Sequence, residues 1–197
     1  MAGPAMPNVP TRRNVKLLTD AIATLESGST VSAMFLTKRY GAFTIEGTAF
    51  ISASVKTLTI GGRSIEQNLK PHKSLQALTT TSEAGSSEPV DGEQAPDTTG
   101  AELPAADSGG GPVVQHGDLI SARFADPAYG QFTVTGVGVA STVSDVVLVG
   151  GWFVSQAGTS APRLVDLEIL AENGTHEYPL PPRIASWGDD SEGATEY

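Results

Sequence analysis

Residues 28–47 read GSTVSAMFLTKRYGAFTIEG, and residues 117–136 read GDLISARFADPAYGQFTVTG. At a constant shift of 89 with no gap, Gly28, Ser32, Ala33, Phe35, Tyr40, Gly41, Phe43, Thr44 and Gly47 meet identical residues. The match continues at Ser52, Gly61, Gly62, Leu75 and Leu78, against Ser141, Gly150, Gly151, Leu164 and Leu167. Unrelated segments of average composition agree at roughly 6–8% of positions in one fixed register. The density here reads as an internal duplication.

Each copy alternates apolar and polar residues with a period of two, the mark of half-buried strands. Val31, Ala33 and Phe35 alternate with Ser32 and Met34. After a turn at 38–41, Phe43, Ile45, Gly47, Ala49 and Ile51 face away from Thr44, Glu46 and Thr48. A glycine inside the longest strand, Gly47 or Gly136, predicts a bend or bulge there. A strand bent at its middle lets one sheet wrap onto itself as a small barrel. Asn173-Gly174 is a type I′ hairpin signal and predicts one more strand near 176–180. Ahead of the first copy, Val15, Leu18, Ile22 and Leu25 form a helical stripe, with Thr11 as predicted N-cap and Gly28 as C′.

The predicted fold is therefore mainly β, with two duplicated small β-barrel units and one N-terminal α-helix. The segments are a flexible start (1–10), helix plus first barrel (11–81), an acidic linker (82–112), second barrel (113–181) and an acidic tail (182–197). Residues 83–112 hold seven acids and no base, with no aromatic residue, the composition of a disordered, self-repelling tether. A helix followed by short strands with a bent second strand resembles the Sm-like small barrel. The resemblance rests on element order and on Gly47 and Gly136, without an Sm-specific motif, over 11–81 and 113–180. It implies ring or dimer assembly and contact with single-stranded RNA.

The 197 residues carry 12 Lys/Arg, 22 Asp/Glu, no cysteine and a net charge of −10. Without cysteine there is no disulfide, thiolate metal site or cysteine nucleophile. The apolar run at 146–154 is far short of the roughly 20 residues of a membrane helix. With no apolar leader at the start, the expected location is cytoplasmic or virion-associated. The charge is divided: residues 1–80 hold nine bases and four acids, and residues 113–197 three bases and eleven acids. A basic front on an acidic chain points to an anionic partner or to attraction between the two parts.

No catalytic or metal constellation is present. His72, His116 and His176 lack the spacing of a ligand set, no GxSxG elbow occurs, and Gly136-Val137-Gly138 lies mid-strand without the third glycine of a dinucleotide loop. No cofactor is expected. The chain reads as a non-catalytic binding or assembly protein, with a protein partner or itself as homo-oligomer. Its composition suits a phage or accessory scaffold component. The alternative is single-stranded RNA binding through residues 11–73, using Arg12, Arg13, Lys16, Lys38 and Arg39 on phosphates and Tyr40 for stacking. Tyr129 and Trp152, which replaces Arg63 after the shared Gly-Gly, are interface candidates. Pro179, Pro181 and Pro182 favour a polyproline II exit able to dock in an aromatic groove. A third possibility, a small-ligand pocket between the copies, requires a polar cavity where they meet.

Overall fold

The computed structural model describes residues 13–52, 57–67, 70–82, 113–144, 146–154 and 162–184. The linker beyond Ser82, the tail beyond Ile184, the first ten residues and Arg12 lie outside the described residues.

The helix α1 (Val15–Ala23) begins later than the sequence suggests. Its N-cap is Asn14, whose side chain accepts the Leu17 N–H at 3.2 Å, and not Thr11. An asparagine oxygen satisfies an orphan donor of the first turn as well as a threonine does. Leu18, Ile22 and Leu25 are buried, while Val15 remains outside the core.

Thirteen strands follow among the described residues: β1 (Thr30–Thr37), β2 (Gly41–Ser52), β3 (Thr57–Ile60), β4 (Arg63–Ser64), β5 (Glu66–Gln67), β6 (Lys70–Pro71), β7 (Leu75–Ser82), β8 (Leu119–Asp126), β9 (Gly130–Val137), β10 (Val139–Ala140), β11 (Val147–Val149), β12 (Trp152–Phe153) and β13 (Arg163–Ala171). The protein is mainly β. The main sheet runs β13-β8-β9-β2-β1-β7, with antiparallel neighbours throughout. Past Thr48, β2 leaves β1 and pairs β3 through Ala49–Ser52, while β10, β11 and β12 form the corresponding small sheet at the other end.

The expected closed barrels do not form; the sheets are open. The edge of β2 that would have closed a barrel on its own half is given to β9, from Phe43↔Gly136 to Gly47↔Phe132, with Ile45 opposite Val134 at the centre. The central pair joins 89-shifted residues and the outer pairs exchange them, so the junction has the register of a twofold axis. Short halves bury little core by themselves, and sharing one sheet gives each half the other's apolar face.

The two halves match in backbone detail. Val31↔Gly47 recurs as Ile120↔Gly136. The bulge of β7 opposite Met34/Phe35 recurs in β13 opposite Arg123/Phe124. The corner bonds Gly28 N–H to Ala49 O and Ala49 N–H to Ser29 O recur as Gly117 N–H to Gly138 O and Gly138 N–H to Asp118 O. Phe35 stacks on Phe43 at 5.4 Å, and Phe124 on Phe132 at 5.5 Å.

Gly47 and Gly136 turn out to serve close approach. A Cβ on Gly47 would lie 2.8 Å from Phe132 Cβ, and one on Gly136 2.6 Å from Phe43 Cβ. The Gly-Gly turns repeat the exchange: Gly61 faces the Phe132 ring and Gly150 the Phe43 ring. Their φ values, 54° and 56°, also require glycine.

No strand forms at 176–180. Asn173 sits against Gly117, and its N–H donates to Asp118 Oδ1 at 3.0 Å. His176 Nε2 lies 2.7 Å from Gly117 O. The chain then crosses to a parallel bridge between Ser141 and Ile184. Asp118 explains the difference from a hairpin, because its carboxylate captures the turn: Oδ2 also accepts the Gln115 N–H at 2.7 Å.

Candidate functional site

Several of the described basic residues of the first half, Arg13, Lys38, Arg39, Arg63 and Lys73, lie toward one end of it. At the end of β1, Leu36 N–H donates to Ser74 O at 2.8 Å, which sets the Lys38–Tyr40 turn beside the loop of His72 and Lys73. Arg13 reaches the same place from the helix: its Nε donates to Leu75 O at 2.9 Å, and its Nη2 to Pro71 O at 3.0 Å and His72 O at 2.9 Å. Arg63 lays its guanidinium over the Phe35 and Phe43 rings, 5.2 and 4.9 Å from their centroids, and donates to Gly150 O at 3.2 Å. His72 reports the resulting field. Burial first, then the charges of Arg63, Arg13 and Lys73, hold its imidazole below the usual value.

The matching end of the second half carries less positive charge, with Arg163 beside Pro162 as its cation. Pro127 and Ala128 stand for Lys38 and Arg39, Trp152 for Arg63, and Pro162 for Lys73. Thr37, whose Oγ1 accepts the Tyr40 N–H at 3.0 Å, is matched by Asp126, whose Oδ1 accepts from Ala128 N at 2.7 Å and Tyr129 N at 3.2 Å. One turn is held by a hydroxyl, the other by a carboxylate.

Between the two Gly-Gly turns lies an open cleft of about 310 Å³, with Arg63, Asp126, Tyr129, Trp152 and Pro162 around it. It mixes aromatic, cationic and anionic side chains. Among the described residues no three His, Asp or Glu side chains converge on a metal-sized point.

The candidate residues of the sequence thus separate. Lys38 and Arg39 stand at the cationic end together with Arg63, His72 and Lys73, which sequence reasoning did not group with them. The signal was present in the shift of 89, since each of the three meets an uncharged residue in the second copy. Arg13 stands directly before the cap, and its guanidinium clamps three carbonyls. Lys16 pairs with Asp20 at 2.8 Å on an exposed helix face. That hydrogen bond and charge raise its pKa. Tyr40 is only 6% exposed. Its ring packs over Gly151 and offers no open face for base stacking.

Tyr129 is half-buried, edge-on to Phe50 at 6.2 Å and over Gly62. Trp152 contacts Phe43, Phe124 and Phe132 at 6.5, 6.4 and 5.7 Å, so it seals the internal junction between the halves. The proline run is a strap: Pro181 is buried, with its Cγ 3.0 Å from where a Cβ on Gly41 would stand, while Pro179 and Pro182 are exposed. No family model, curated protein or solved structure matches the chain.

Proposed function

We propose that this chain is a non-catalytic binding and assembly protein whose two halves arose by doubling of one unit. The cationic end of the first half receives an acidic protein surface. The observation that carries the reading is the gathering of Lys38, Arg39, Arg63 and Lys73 at one end, against Pro127, Ala128, Trp152 and Pro162 at the matched end. A scaffold kept in register while one end gathers several cations and the other has Arg163 beside Asp126 separates a binding end from a supporting one. A local cationic field of this kind steers anionic partners even on a chain of net charge −10. The role of a phage or accessory scaffold component, in the cytoplasm or a virion, belongs to the same reading.

Poly-L-glutamate serves as probe. Wild-type full-length protein binds it at low salt, and K38A/R39A/K73A weakens binding roughly tenfold, at about 0.5 kcal/mol per charge. An affinity that salt does not weaken, or that the triple variant leaves unchanged, overturns the reading. The same charges favour a second reading, an RNA phosphate backbone, and tighter binding of oligouridylate than of poly-L-glutamate selects it. With Tyr40 buried, that binding would lack base stacking.

A further inference from the structure

The main sheet is open, so it has two edges, and they differ in chemistry. β13 carries Arg163, Asp166 and Glu168 along its nine residues, with Asp166 3.4 Å from Arg123 on its neighbour β8. β7, at the other edge, reads LQALTTTS, with no charge and no proline. Native sheets guard their edges with charged residues, prolines or a covering element. β7 is covered in part in this way: helix α1 packs beside it, and Arg13 occupies Leu75 O. Farther along, Thr79 and Thr80 are exposed, β7 steps out of register with β1 at Thr81, and β7 ends the strand order of the sheet.

We propose that the Ala77–Ser82 stretch of β7 is a self-association edge, where a second copy of this chain adds its own β7 antiparallel about a twofold axis. The occupant follows from the sequence of the edge. An isologous pair centred on Thr79 and Thr80 sets threonine against threonine, a favourable cross-strand combination with no charge to repel its own copy. The same operation at β13 would bring Asp166 and Glu168 of each chain face to face. The junction of β2 with β9 shows, inside one chain, that two of these halves join by antiparallel pairing of matched strands. The inference supplies the self-contact of the assembly reading without using the cationic end. The two respond to salt in opposite directions. Salt weakens the binding of an acidic partner, whereas two copies of net charge −10 associate more readily when their mutual repulsion is screened.

Sedimentation equilibrium of the full chain, at concentrations on the order of 100 µM to suit an interface of small area, tests it. The wild type is expected to approach twice 20.3 kDa, more completely at higher salt. T79K/T80K is expected to stay at the single-chain mass, and V165K, which places a lysine at the exposed β13 edge, to dimerise as the wild type does. Hydrogen exchange keeps the test independent of any folding defect in the variant. In the wild type the Ala77–Ser82 amides should slow as concentration rises, while those of β13 do not change. A wild type that stays at single-chain mass overturns the proposal. So does a dimer that T79K/T80K leaves intact, protection that appears elsewhere than β7, or larger oligomers that V165K dissolves, the mark of β7 pairing with β13.

Discussion

The first and second halves agree where they touch each other and part where they face outward. Phe43 and Phe132, the glycines beneath them, and the Gly-Gly turns are identical in both, because each phenyl occupies the space that a glycine of the other half leaves empty. A change on one side would need its answer on the other, since packed interiors tolerate little added volume. At the outward ends no such reciprocity applies. There the Lys38–Arg39 pair is matched by Pro127–Ala128 and Lys73 by Pro162. Arg63 and Trp152 are the exception at the junction itself: Arg63 lies over Phe35 and Phe43 and donates to Gly150 O, while Trp152 lies among Phe124, Phe132 and Phe43.

That comparison can be broken most decisively at the phenyl pair. Phe43→Ala and Phe132→Ala should each destabilise the chain by about 3–5 kcal/mol in denaturant titrations. Losses that differ by more than the smaller of the two would end the equivalence of the halves. Next, Gly47→Ala and Gly136→Ala insert a Cβ against a neighbouring Cβ, and each should cost about 1–3 kcal/mol by overpacking; one of them being neutral would show a junction tight on one side only. Arg63→Met sharpens the comparison at the diverged pair. Loss of the cation over two rings should lower stability by about 0.5–2 kcal/mol in the same titrations, and an unchanged midpoint would make Arg63 a surface charge.

The smallest effect concerns pH. His72 is held below its ordinary value near 6.5, so the unfolded chain takes up this proton more readily than the folded one. The stability linked to His72 is present above pH 6.5 and declines as pH falls through the folded value. His72→Gln should flatten part of the fall in urea midpoint between pH 7 and 5; a parallel curve would show that His72 is not linked to folding.

Much of this was legible in the residues, for identifiable reasons. Period-two alternation shows which face of β1, β2, β8 and β9 is buried, and the shift of 89 pairs Phe43 with Phe132. Closure was not legible. Alternation around Ile45 is the same whether β2 lends its edge to its own half or to β9, because both solutions bury the same face. Gly47 was similarly ambiguous: a strand glycine can mark a bend or a contact, and only the position of Phe132 tells which. The proline run announced its extended conformation but not its resting place on Gly41, which depends on a turn 140 residues away in sequence. At the cationic end, Lys38 and Arg39 stood out as neighbours, whereas Lys73 joins them through the bond between Leu36 and Ser74, and Arg63 through its place over Phe35 and Phe43.

Nuclear Overhauser contacts in the full-length protein test most directly whether the halves interlock. Crossed contacts are expected: Phe43 ring protons to the α-protons of Gly136 and Gly150, and Phe132 ring protons to those of Gly47 and Gly61. If each phenyl reports neighbours from its own half alone, or just one crosses over, the interlocked pair described here is not the structure in solution.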